Sequence, residues 1–278
     1  NIKKYLYRRN VPDVLYCAIP SIDVADVAAK YCQKKNVRFI IDIQDLWPEA
    51  FKMVLRVPVL NDIIFAPLSY QANRVYRLAD DVVAVSQTYA NRATCVNQKN
   101  HNPVAAYLGT ELEKFDAAKV PIIPDDVIRI AYIGSLSRSY DLTVVFDAID
   151  IIQKHGKVKP IQFIIMGDGG LRNKFENYAA TKKIPATFTG MLEYPKMVEL
   201  LCSCDIAVNP ILSGSAGSVI NKVGDYAMAG LPVINTQECP EYCNLLESYN
   251  AGINCENGNA ASVADAVRGR GSGVGVLA

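Results

Sequence analysis

Lys222 and Asp225 stand three residues apart in a segment of helical pattern, so that a cation and a carboxylate share one face. Just ahead of them runs SGSAGS at 213–218, a stretch whose side chains are too small to pack a core. The pattern predicts a helix over 219–229, stopped by Gly230 and Pro232, with a strand over the apolar residues that follow. A loop of glycine and serine that opens a helix suits a phosphate group. First-turn N–H groups are unpaired there, the helix dipole is positive, and small residues let an anion approach the backbone. Ser218, Val219 and Ile220 would supply the N–H groups and Lys222 the charge. The same residues also fit an ordinary connection followed by a solvated helix face, and a glycine-rich run alone does not choose between the two.

A second cluster is Asp42, Asp45, Trp47 and Glu49, at the end of an apolar run. Carboxylates flanking an indole can take the hydroxyl hydrogens of a sugar while the ring stacks on its face; equally, acids around Pro48 suit the start of a helix. A third is the loop from Gly134 through Ser135 to Arg138, and a fourth is Gly167-Asp168-Gly169-Gly170. The latter lacks the spacing of a dinucleotide fingerprint, because position 172 is Arg, which argues against a nicotinamide enzyme. No Asp-x-Asp occurs, nor any evident Ser-His-Asp set or glutamate pair. The eight cysteines do not have the paired spacings of a structural zinc site and read as reduced thiols of a cytoplasmic protein. No metal is expected.

A chain of 278 residues, half of them hydrophobic and 21 % charged, is globular and long enough for two domains. Its formal charge of +1 argues against nucleic-acid binding. No apolar run reaches the length of a membrane span, and 1–9 is polar and basic rather than signal-like. The segment 54–78 is apolar, carries Arg56, Arg74 and Arg77, and is broken by Pro58 and Pro67. It suits either a core helix or a helix lying on a membrane surface.

The elements that position these clusters alternate. Strand 14–19, helix 24–34 and strand 37–43 make a βαβ unit, its continuous apolar strands implying a parallel sheet covered on both faces. A strand at 81–85 follows, with Ser86 as a helix N-cap, and then a strand at 104–108. The composition shifts across 113–126, which places a linker at 119–127 between a first domain, 1–118, and a second, 128–268. In the second domain, strands are expected at 128–133, 162–166, 186–189, 206–209 and 233–235, and helices at 142–154, 170–182 and 195–202. His155 and Gly156 close the helix at 142–154, which makes His155 structural. The glycine-rich tail 269–278 breaks the pattern.

Four stretches in order, DIQDLWPEAF from Asp42, YIGSLSRSYDL from Tyr132, FIIMGDGGLRNKF from Phe163 and DYAMAGLPVI from Asp225, resemble the family-4 glycosyltransferases of the GT-B fold. The resemblance covers nearly the whole chain to about Val267 and points to the bacterial capsule, O-antigen or exopolysaccharide type. It implies an α/β protein of two Rossmann-like domains facing a central cleft, with the first domain incomplete and the chain truncated at both ends. It further implies a transferase that moves a sugar with retention, and without metal or cofactor, from a nucleotide-diphosphate sugar to a lipid-linked or glycan acceptor. The donor phosphate would take the acceptor proton. Location at the cytoplasmic membrane face would follow.

Carried over residue by residue, the resemblance assigns Asp45, Arg138 and Lys222 to catalysis. Gly134, Ser135, Gly167, Asp168, Gly169, Leu192, Ser218, Val219, Ile220 and Asp225 would bind the donor, Asp225 at the ribose. Asp42, Trp47 and Glu49 fall on the acceptor side. The family's earlier glutamate falls on Gly217 here, and its basic pair on Ser135 and Asp141, which leaves Arg138 to compensate. A nucleotide-sugar 2-epimerase of the same architecture and an inactive nucleotide-sugar-binding fragment are the alternatives.

Overall fold

The computed structural model describes residues 2–49, 58–99, 102–120, 125–155, 159–214 and 219–269. Two compact units emerge, one running to Leu108 and the other starting at Gly109, ahead of the 119–127 stretch. Each is an α/β unit built on a parallel sheet.

In the first unit the strands β1 (Val14–Ile19), β2 (Arg38–Ile43), β3 (Asp81–Ala84) and β4 (Val104–Ala105) lie in that order. Between them run α2 (Ile22–Lys35), α3 (Pro58–Leu78) and α4 (Gln87–Thr94), and α1 (Ile2–Tyr7) precedes them. The side chains of one strand parity, Cys17, Ile19, Phe39, Ile41, Ile43, Val82 and Ala84, share one core with α2, α3 and α4. The other parity is open: Val14, Tyr16 and Ala18 are exposed, and Ile40 and Asp42 are half-buried. The expectation that both faces are covered therefore fails here, because the helices among the described residues all pack from one side. α3 also passes through Pro67, where a break was expected. Pro67 and Ile63, four residues before it, are exposed, so the carbonyl that loses its partner meets water. The Ser86 cap is as read: its Oγ accepts from Tyr89 N at 3.2 Å.

The second unit opens with α5 (Leu112–Ala118), which packs on α8 (Tyr194–Cys202). Its sheet has the order β10 (Gly252–Asn254), β9 (Val233–Asn235), β8 (Ile206–Asn209), β5 (Ile128–Ile133), β6 (Ile161–Met166), β7 (Ala186–Gly190). The helices α6 (Leu142–Lys154), α7 (Arg172–Thr181), α9 (Lys222–Met228), α10 (Pro240–Ser248) and α11 (Ala260–Val267) join it. Here both faces are covered, since all residues of β8 and β9 are buried. His155 is the C-cap of α6, its Nδ1 2.8 Å from Ile151 O, while Gly156 lies outside the described residues. Among the described residues no helix is long and apolar enough to cross a membrane.

Candidate functional site

The loops leaving β5 and β6 are fastened to each other. Gly134 N donates to Met166 O (2.9 Å), Leu136 N to Asp168 O (2.9 Å) and Leu171 N to Leu136 O (3.0 Å). Gly167 has φ +149°, and a Cβ there would lie 1.9 Å from Gly134 O, so only glycine permits the approach. Gly167 and Gly169 therefore serve loop-to-loop contact, the first against Gly134 and the second against Leu136. Asp168 is held at the loop by Gly169 N (2.7 Å) and Arg172 Nη1 (3.1 Å).

These loops border a cavity of about 400 Å³ at the carboxyl ends of β5 and β6, where open parallel sheets bind their ligands. Gly134, Ser135, Gly167, Asp168 and Leu192 line it, together with Met191, Tyr194 and Met197. A larger cleft of about 610 Å³ adjoins at Leu192 and is lined by Asp125, Arg129, Lys196 and Glu199. The smaller cavity is the one beside the residues singled out above.

Lys222 is the central observation. Its side chain is buried and Nζ has no hydrogen-bond partner. Nζ sits over two ring faces, 4.2 Å from the centroid of Tyr132 and 3.9 Å from that of Tyr140. A Cβ on Gly134, which lines the cavity, would stand 2.9 Å from it. Burial pushes its pKa down to about 7. An orphaned cation next to a cavity wall is electrostatically unsatisfied, and an anionic oxygen is the partner it lacks.

Asp225 follows in the first turn of α9. Its Oδ1 accepts from Tyr194 OH (2.9 Å) and Thr110 Oγ1 (3.2 Å). Thr110 comes this close because residue 224 is glycine; a Cβ there would lie 2.6 Å from Thr110 Oγ1. Burial first, and then the bond to Asp225, push the Tyr194 phenol up to about 12, so it stays a donor at neutral pH. Tyr226 locks α9 onto the sheet, donating to Val208 O (3.2 Å) and accepting from Ile133 N (3.0 Å).

The helix begins at Lys222, not at 219. Asn221 precedes it, and the bonds Val223 N to Ile220 O and Gly224 N to Asn221 O, both 3.2 Å, form a tighter turn at its start. Val219 and Ile220 are thus half-buried residues ahead of the helix, and Ser218 lies outside the described residues. Val219 groups with the first compact unit. Arg138 is exposed and does not line the cavity. Asp141 caps α6, its carboxylate accepting from Thr143 N at 3.1 Å, which accounts for an acid at that position.

In the first unit Asp42 accepts from Gln44 Nε2 (3.1 Å) and Asp45 from Leu46 N (2.8 Å). Trp47 packs against the core of that unit. Glu49 is committed elsewhere: its Oε1 is 2.5 Å from Arg92 Nε, while Oε2 is buried without a partner. Arg92 also donates to Asn73 Oδ1 (2.8 Å) and lies over the Tyr76 ring. Removing Arg92 leaves a partly buried carboxylate unpaired, so Arg92→Ala is expected to lower unfolding free energy by about 1–3 kcal/mol, measured by urea titration. An unchanged midpoint would show the pair to be ornamental.

Among the described residues no group of three or more His, Cys, Asp or Glu is placed to hold a metal ion, and the eight cysteines are free thiols. Tyr132, Tyr140, Tyr194 and Thr110 are site residues that sequence reasoning missed. Tyr132 and Tyr140 do lie inside the second matched stretch, but nothing in their spacing announces a shared lysine.

Parallel strands with a glycine-built cavity outside their carboxyl ends define a ligand-binding α/β protein. Residues 128–269 match the family model described as Glycosyl transferases group 1, and the chain belongs to that family: it is a glycosyltransferase. Among solved structures it is similar to HepE of Anabaena in complex with UDP (13 % identity, TM-score 0.72), covering 96 % of this chain and 70 % of that one. Sucrose-phosphate synthase of Thermosynechococcus elongatus is similar at 14 % identity and TM-score 0.69, over 95 % of this chain and 66 % of that one. The lipopolysaccharide outer core galactosyltransferase WaaB is similar at 16 % identity and TM-score 0.58, again over 95 % and 66 %. These likenesses establish a GT-B-like fold for the two α/β units. No curated protein matches the chain.

Proposed function

We propose that this glycosyltransferase moves a sugar with retention from a nucleotide-diphosphate sugar to a lipid-linked or polysaccharide acceptor in the synthesis of a cell-surface glycan. The observation that carries the reading is the buried, unpaired Nζ of Lys222 against Gly134. The HepE structures hold UDP and UDP-glucose, and WaaB is a galactosyltransferase of lipopolysaccharide, which supports a nucleotide sugar and a glycan acceptor. The second unit binds the donor, and the first, through Asp42 and Trp47, serves the acceptor.

In the reaction the anomeric C–O bond to the diphosphate breaks, and the acceptor oxygen bonds to the same face of the sugar. The acceptor proton passes to the departing phosphate oxygen. The charge that grows on the diphosphate is met by Lys222 rather than by a metal, and fixed charge at that point is the largest catalytic contribution such a site can make. Asp225, already oriented by Tyr194 and Thr110, has Oδ2 left to accept from the ribose hydroxyls.

Calorimetric titration with UDP and with GDP in EDTA tests this. One nucleotide is expected to bind with the chelator present, and Asp225→Asn to weaken it about tenfold, since a charge-assisted bond becomes neutral. A folded chain that binds neither, or binds only when a divalent metal is restored, would overturn the donor site or its metal independence respectively.

A further inference from the structure

We propose that Tyr132 and Tyr140 are positioning residues of the donor site: their ring faces hold the Lys222 ammonium, in place of a carboxylate, so that its charge stays available to the donor diphosphate. The inference rests on the donor reading above and deepens it. A lysine buried beside an anion site poses a conflict. Pairing it with Asp or Glu would offset its desolvation but would also occupy its charge and repel the phosphate. Aromatic faces attract a cation through the ring quadrupole without carrying net charge, and more strongly once water is excluded.

The geometry fits that solution. The two rings meet edge to face with centroids 5.7 Å apart, and Nζ lies within 4.2 Å of both centroids. Tyr132 is fully buried, and its hydroxyl is tied to Ser135 O at 2.8 Å, so that ring cannot swing away. Tyr140 lies at the end of the same loop, whose backbone bridges to Ile211. The titratable groups against Nζ are Tyr132 from β5 and Tyr140 from the loop after it; Asp225 and Tyr226 lie on the same helix as the lysine. Burial pushes all three phenols up, so none is anionic near neutrality, and Asp225 is engaged by Tyr194 and Thr110. Burial alone accounts for the lowered pKa of the lysine, with no neighbouring charge contributing. The cation thus reaches the Gly134 loop from α9 and not from the loop itself.

The first test needs no nucleotide. In protein labelled with ¹³C-lysine, the Lys222 signal, assigned by its loss in Lys222→Arg, is titrated in the wild type, Tyr140→Leu and Tyr140→Phe. Losing a ring face disfavours the ammonium, so the midpoint should fall by about one pH unit in Tyr140→Leu and stay near wild type in Tyr140→Phe. A fluorinated phenylalanine at position 140 keeps the shape and weakens the quadrupole, and it should behave like leucine; it decides the matter if Tyr140→Leu does not fold. The second test is the pH dependence of UDP-glucose or GDP-mannose binding, donors whose diphosphate does not titrate near neutrality. Affinity should fall as pH rises through the Lys222 midpoint, and Tyr140→Leu should move that fall to lower pH and weaken binding about tenfold to thirtyfold. Equal Lys222 midpoints in all variants would overturn the cage whatever binds; a shifted midpoint in a protein that binds no nucleotide sugar would leave the cage and sink the donor reading.

Discussion

Lys222→Met is expected to make the protein more stable and at the same time unable to hold its donor. The wild-type lysine has a folded-state pKa near 7 against an ordinary value of 10.5. The unfolded chain therefore binds more protons than the folded one between those values, and unfolding free energy rises with pH across that window. Below about pH 7 the lysine is charged in both states and its full desolvation cost opposes folding. The shift corresponds to at most about 4–5 kcal/mol, from which relaxation of the site subtracts. Methionine keeps the unbranched stem and packs well on aromatic rings, so a gain of about 1–3 kcal/mol is expected at pH 6, shrinking toward alkaline pH. Nucleotide affinity should drop about a hundredfold or more, the loss of a charge-assisted phosphate contact. Urea unfolding at two pH values and one titration suffice. A variant that is less stable at pH 6 yet binds as well as wild type would remove Lys222 from the donor site.

Gly167→Ala is expected to be among the most damaging single-methyl changes in the second unit. Its Cβ would stand 1.9 Å from Gly134 O and 2.8 Å from Gly134 C, both backbone atoms, at a φ of +149° that alanine avoids. Relief requires the two loops to part, breaking the bonds from Gly134 N and Leu136 N, so a loss of roughly 3–5 kcal/mol is expected. Gly170→Ala, three residues on, is the control: a Cβ there meets nothing within 4 Å. Thermal melting of the pair should separate them by many degrees. Equal melting temperatures would mean that the loops part cheaply.

The sequence was most legible where apolar runs are bounded by proline, glycine or a cap. β5 at Ile128–Ile133, α6 at Leu142–Lys154 and β8 at Ile206–Asn209 fall on the expected residues. Lys222 and Asp225 could be found because their chemistry lies in one short segment. Their partners could not: Tyr194 is 31 and Thr110 is 115 residues from Asp225, and such contacts follow from tertiary packing, not from local pattern. Two errors have local causes. Val219 and Ile220 continue the apolar period of the helix, but the chain turns more tightly at Asn221 before the helix begins. Pro67 reads as a break because burial of its face is invisible in the sequence; on the exposed side the lost hydrogen bond costs little. The openness of one face of the first sheet was likewise hidden, since Val14, Leu15, Tyr16 and Cys17 are all apolar by type although they alternate in exposure.

That difference between the sheets bears on how each half can change over evolutionary time. In β8 and β9 no position faces solvent, so a substitution at any of them must refit a packed interior. In β1, β2 and β3 alternate positions are exposed or half-buried, so replacements there meet less resistance. A lineage drifting under those two regimes keeps a recognisable signature in one half while the other diverges.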